Sequence, residues 1–158
     1  MRPLHGDYQL WSTAEGASVA LTLSRACAHA GDQLSAQRML HTGTTAVTQL
    51  PRAYFHGHLL LARSVVLEYD GRFDEAEEGL VDALSVFHTH GYRPAAAITV
   101  LEQARLAHAR GLVRSALPRY AHAFEELRDL GQLREARLAR AMAAPLGEIY
   151  AGATTPAR

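Results

Sequence analysis

The groups that could do chemistry are densest in one stretch. Glu68 to Leu80 reads EYDGRFDEAEEGL and holds six carboxylates in thirteen residues around Gly71. Clustered carboxylates can hold a divalent cation or divide acid and base roles. A calcium loop, however, needs acids at alternate loop positions and a closing glutamate. Here Asp74, Glu75, Glu77 and Glu78 fall inside a helical pattern and point in different directions. Asp74, with Glu77 three residues on, has the spacing of a capping box. Acids in such a first turn also face the positive end of the helix dipole. The run is expected to start a helix, with Glu68 left as its functional candidate.

The nine histidines include two close pairs, His56 with His58 and His88 with His90. An i,i+2 pair on a helix points to different faces, whereas helical zinc pairs use i,i+4. Neither HExxH nor CxxC occurs, so no metal and no cofactor is expected. Cys27 is the single cysteine and falls in a packing position, where a buried, inert thiol is expected. The absence of lysine excludes a Schiff-base nucleophile and a P-loop lysine. No G-x-S-x-G is present, and no catalytic residue is assigned.

Bulk properties narrow the classes further. With 158 residues, 48% apolar and 20% charged, the chain fits one globular domain. Sixteen basic and sixteen acidic residues cancel, which gives no general pull toward nucleic acid or anionic membrane. The segment MRPLHGDYQLWS lacks the apolar core of a signal peptide, and no apolar run spans a bilayer. A cytoplasmic protein is the expectation. Lys and Asn are absent and Ile occurs only at 98 and 149, a bias against AT-rich codons that suggests a GC-rich bacterial genome.

Whatever these side chains do, helices must position them. Alternating β-branched runs are missing, and Ala, Leu, Arg and Glu dominate. Glycine and proline cut the chain into seven expected helices, near 13–30, 32–49, 52–70, 73–90, 94–110, 112–130 and 132–150. Pro145 is expected to kink the last of these or end it early. The breakers are periodic: Gly31, Gly71 and Gly111 stand forty residues apart, as do Pro51, Gly91 and Gly131. The same shift aligns Ala36, Ala76 and Ala116; Leu21, Leu61 and Leu101; Ser24, Ser64 and Ala104; Leu40, Leu80 and Tyr120; and Gly43, Ala83 and Ala123. Small residues recur where helix backbones should approach closely, and large apolar ones where a neighbouring hairpin must be filled. Leu138, Met142, Leu146 and Ile149 are expected along one side of the last helix, with Arg134, Arg137 and Arg140 as a solvated cap.

At these columns the chain resembles the tetratricopeptide repeat. The matching elements are Ser24, Gly31, Ala36 and Leu40, then Ser64, Gly71, Ala76 and Leu80, then Ala104, Gly111, Ala116 and Tyr120. The resemblance covers about residues 16–150. It departs from the family in its forty-residue period. Ala20, Leu60 and Val100 stand in place of the early tryptophan, and the closing proline is missing. The segment LSVFHTHGYRPAAAITVLEQARLAHARG is similar to the repeats of large bacterial transcription activators. A HEAT-like array is the alternative fold.

The resemblance implies an all-α right-handed α-α superhelix, a solenoid of about seven helices. Residues 1–12 would be irregular and 13–150 the repeat domain, with repeats at about 13–50, 51–90 and 91–130 and a closing helix at 131–150. Residues 151–158 would form a flexible tail. The resemblance also puts the first helix of each hairpin on a concave groove. Arg25, His29, His58, Glu68, Tyr69, Arg105 and His108 would face a protein or peptide partner there. The leucines Leu21, Leu61 and Leu101 would be either the groove floor or core. The lysine–asparagine clamp of some family members is impossible, because the chain has neither residue. The expected function is a non-enzymatic interaction module, a scaffold in a bacterial regulatory system. The alternative is a small-molecule sensor or an unusual biosynthetic enzyme using the groove. Self-association into a homodimer through the solenoid ends is a third expectation.

Overall fold

The computed structural model describes residues 13–50 and 52–153, with side chains up to residue 147. Among them are seven α-helices and no strand: α1 (Ala14–His29), α2 (Gln33–Val47), α3 (Ala53–Tyr69), α4 (Phe73–Thr89), α5 (Arg93–Ala109), α6 (Val113–Asp129) and α7 (Leu133–Ala153). The all-α, repeat-like architecture read from the sequence is what forms. None of the described helices is long and apolar enough to cross a membrane. Residues 1–12 and 154–158 lie outside the described range, as does Pro51.

The periodic glycines end the helices for a conformational reason. Gly31, Gly71, Gly91, Gly111 and Gly131 all have φ between +71° and +79°, the left-handed region that side chains with a Cβ avoid. At Gly71 the glycine N–H donates to Glu68 O, and the next N–H, of Arg72, donates to Leu67 O. This double bond pattern closes the last carbonyls of α3 and reverses the chain within three residues. The same pair of bonds recurs at Gly31, Gly111 and Gly131. Helix starts are less uniform. Thr13 Oγ1 accepts from Gly16 N at 3.0 Å, and Asp32 Oδ1 accepts from Ser35 N at 3.1 Å.

Asp74 does not cap α4. The cap position is Arg72 and Phe73 is already helical, so Asp74 sits in the first turn beside Glu75. The tight turn at Gly71 leaves no room for the extra residue that a cap at Asp74 would need. Favourable charge at the helix N-terminus survives this correction, because both acids stay in the first turn.

The chain forms two compact units, Met1–Gly91 and Tyr92–Arg158. In unit 1, α1 packs on α2 and α3 on α4, and both helices of the first hairpin lie against α3. Its cores gather Ala17, Leu21, Ala46, Phe55 and Ala62 at one end and Ala28, Ala36, Val65 and Val66 at the other. The Leu21, Leu61 and Leu101 column is core, each residue at most 3% exposed, and not a groove floor. Ser24 Oγ ties the first hairpin together by donating to Ala36 O at 3.0 Å. Backbones come close where small residues recur: a Cβ on Gly43 would meet Leu21 Cδ2 at 2.6 Å, and one on Gly57 would meet Phe87 Cε1 at 2.5 Å.

In unit 2, α6 packs on both α5 and α7. Leu101, Ala116, Tyr120, Ala123, Leu127, Ala139 and Leu146 form its core. The helix α7 runs through Pro145 to Ala153, so of the kink or early stop expected at Pro145 the stop does not occur, and residues 151–153 continue the helix where a tail was expected to begin. Proline removes one N–H and crowds the carbonyl four residues earlier. Ala141 and Pro145 are both exposed, so water can satisfy that carbonyl. The same holds for Arg114 and Pro118 inside α6. Along α7 the buried row is Ala136, Ala139 and Leu146, with Met142 half-buried. Leu138 is exposed, contrary to expectation, whereas Arg134, Arg137 and Arg140 are solvated as expected. Ile149 carries no described side chain.

Candidate functional site

Five of the seven nominated residues belong to unit 1, on α1 and α3. His29 and Tyr69 close the last turns of these helices: His29 Nδ1 and Tyr69 Oη are 3.1 Å apart, and the rings meet edge-on at 5.7 Å. Beside them, Gln33 Nε2 donates to Val66 O at 3.2 Å and to Asp70 Oδ1 at 2.5 Å. The forty-residue spacing of His29 and Tyr69 thus becomes a polar clasp between consecutive hairpins. Glu68, one residue before Tyr69, is half-buried.

The second cluster is deeper. His58 lies on α3 between the Tyr54 ring, at 4.4 Å, and the Phe87 ring of α4, at 5.1 Å. Burial pushes its imidazole down to about 4, and the positive charge of Arg25 on α1 pushes in the same direction. His58 is therefore neutral at pH 7. Its Nε2 and the Nε of Arg25 are both hidden from solvent, and neither has a hydrogen-bond partner. A buried polar atom left in this state costs about 1–3 kcal/mol. Two such atoms on helices that pack together therefore ask what completes them.

Unit 2 treats its nominated residues differently. Arg105 lies 3.6 Å from Glu102, and Glu102 is only 3% exposed. Arg105 thus has a buried carboxylate within ion-pair distance on its own helix, at a separation too long for a hydrogen bond. His108 Nδ1 is 3.5 Å from the hydroxyl of the fully buried Tyr120, which also lies 4.0 Å from Met142 Sδ. Sequence reading overlooked Glu102, although its i,i+3 spacing to Arg105 was a usable signal. It also overlooked Tyr54, four residues before His58 and on the same face.

The remaining chemical groups are structural. Arg72 grips Glu75 with both Nε and Nη2, at 2.7 and 2.5 Å, and this bond holds the Glu75 carboxyl below its usual range. The buried hydroxyls of Ser24 and Ser64 donate to Ala36 O and Leu60 O, which removes them as nucleophiles. His56, His88 and His90 are exposed. Among the described residues, no three His, Cys, Asp or Glu side chains are placed to hold a metal ion. Cys27 is a free, half-buried thiol.

No protein-family model, no curated protein and no solved structure matches the chain.

Proposed function

We propose that this chain is a non-enzymatic binding module of the tetratricopeptide-like kind. It would hold a segment of a partner protein against the face that α1 and α3 present in unit 1. The observation that carries this reading is the pairing of unfilled polar groups with aromatic surface. Arg25 Nε and His58 Nε2 lack partners, while Tyr54 and Tyr69 flank them on α3 and are partly open to solvent. Arginine and tyrosine are the side chains that most often dominate binding energy at protein interfaces. The glycine-punctuated hairpins and their forty-residue register support the family reading. A cytoplasmic scaffold or regulator in a bacterial regulatory system is the role this suggests.

The test is selection of displayed peptides on the immobilised protein, followed by affinity measurement with Arg25→Ala. A loss of tenfold or more, with helicity unchanged, is expected. Unchanged affinity removes the assignment.

A second reading draws on the depth of the Arg25–His58 pair. Half-buried polar groups suit a small polar ligand as well as a peptide. Native mass spectrometry of the purified protein separates the two, since a small molecule carried through purification adds its own mass.

A further inference from the structure

We propose that α4 and α7 carry complementary outward faces, and that α7 of one copy of this chain receives α4 of a second copy. This self-association goes beyond the peptide-binding reading and uses neither Arg25 nor His58.

The face on α7 is uncovered where its counterparts are covered. In the forty-residue register, Arg137, Ala141 and Ala144 follow Ala97, Leu101 and Ala104 of α5, and Gly57, Leu61 and Ser64 of α3. The α5 residues are core, clustered with Ala116, Tyr120 and Ala123 of α6. On α3, Gly57 and Ser64 lie directly against Phe87 and Gly79 of α4. These first helices therefore have a second helix on this side. On α7, Arg137, Ala141 and Ala144 are exposed, and Leu138 beside them is 43% exposed. The small side chains at 141 and 144 let another helix approach closely.

Charge selects the occupant. Ten acids and six arginines fall in Met1–Gly91, and six acids and ten arginines in Tyr92–Arg158, so the neutral chain has an acidic unit and a basic one. The uncovered face of α7 begins with Arg134 and Arg137, and among the described residues no ion pair holds either one. Arg72, Arg93 and Arg128, by contrast, each reach a carboxylate. The complement of such a face is an acidic helix with an apolar centre. On α4, Asp74, Glu77 and Glu78 are exposed near Val81, which is itself 54% exposed. The order along the two helices also matches. Glu77 stands four residues before Val81, and Arg134 four residues before Leu138. Laid in the same direction with Val81 on Leu138, α4 brings Glu77 and Glu78 alongside Arg134 and Arg137. Opposite charges around an apolar contact steer two copies together and fix their register. Each copy carries both faces, so the contact is heterologous, and the mass of the assembly reports whether it closes.

The experiment is sedimentation velocity on the purified chain over a range of concentrations, at about 50 mM and about 500 mM salt. The average mass should climb with concentration at low salt and return to that of one chain at high salt. Arg134→Glu with Arg137→Glu should weaken association by roughly tenfold or more, and so should Glu77→Arg with Glu78→Arg. An equimolar mixture of the two double variants should recover most of the loss, because reversed charges face each other again. Circular dichroism checks that both keep their helices. Where either unfolds, Leu138→Asp tests the same contact from its apolar side, and unchanged association there is fatal. A parent chain that stays single up to about 1 mM at low salt overturns the inference. So does association that either double variant leaves unchanged, and so does a mixture as weak as its components. A single chain that instead captures an acidic helical peptide, and loses it in Arg134→Glu with Arg137→Glu, gives the face to another protein and equally overturns self-association.

Discussion

Gly57→Ala tests the packing that holds His58 in place. The glycine lies in the middle of α3, where alanine would ordinarily stabilise the helix by about 1 kcal/mol. Here the added Cβ would sit 2.5 Å from Phe87 Cε1, 2.9 Å from Cζ and 3.0 Å from Cδ1. Carbon atoms at rest need about 3.5–4.0 Å. The ring must therefore give way by about an ångström, yet Phe87 is fully buried and has no solvent to move into. Overpacking of this kind costs about 1–3 kcal/mol, and a blocked ring belongs at the upper end. Subtracting the helix gain leaves about 2 kcal/mol of net destabilisation. That corresponds to a fall in Tm of roughly 4–8 °C for a chain of this size. Urea unfolding followed by circular dichroism would measure it. Gly79→Ala is the internal control. Its Cβ would meet the Ser64 hydroxyl, a single rotatable atom, and should change stability by less than about 1 kcal/mol. A second control pairs Gly57→Ala with Phe87→Leu, and the two changes should be strongly non-additive. A Gly57→Ala protein as stable as the parent would refute the close approach of α3 and α4 at this point.

Three further outcomes follow from the same geometry. Because the folded His58 titrates near 4 rather than 6.5, the unfolded chain binds the extra proton between those values. Stability is then full above about pH 6.5 and falls as the pH drops toward 4. His58→Gln should remove about 2 kcal/mol of the difference between pH 7 and pH 4.5, read from paired urea melts. Gly71→Ala forces a Cβ into φ +76° with nothing within 4 Å to clash, so it should cost about 1–2 kcal/mol from backbone strain alone. Arg105→Ala removes the positive charge 3.6 Å from the buried Glu102 and should cost about 3 kcal/mol of stability, whereas Arg25→Ala should change stability little and affect binding instead. Equal unfolding midpoints for the two arginine variants would remove this distinction.

The fold was legible because its signal is backbone geometry repeated. Five glycines at positive φ, Gly31, Gly71, Gly91, Gly111 and Gly131, cut the chain at multiples of twenty residues, and each helix falls within a few residues of where the breakers put it. Small residues such as Ala36, Ala76 and Ala116 are fully buried because the close approach of helices admits nothing larger. Local chemistry was less legible. A capping box at Asp74 and a stop at Pro145 are both reasonable from local sequence alone. Each is overridden by context: a tight glycine turn that starts α4 early, and an exposed helix face that tolerates proline.

The site shows where repeat logic stops. Arg25 and Arg105 occupy the same column, and from sequence they predict the same role. Three residues earlier the column holds Thr22 in the first repeat and Glu102 in the third. Thr22 is exposed and uncharged, while Glu102 is buried and 3.6 Å from Arg105. One repeat therefore answers its arginine internally, and the other leaves it half-buried beside a histidine that cannot balance its charge. His58 comes from a different column, and only the stacking of α3 on α1 makes it the neighbour of Arg25. A repeat register transmits backbone position and small-residue packing from one hairpin to the next. It does not transmit charge balance, because a single substitution on a neighbouring column reverses it. Binding sites in such a scaffold should be sought at polar columns where one repeat lacks the partner that another possesses, and in unit 1 that criterion selects Arg25.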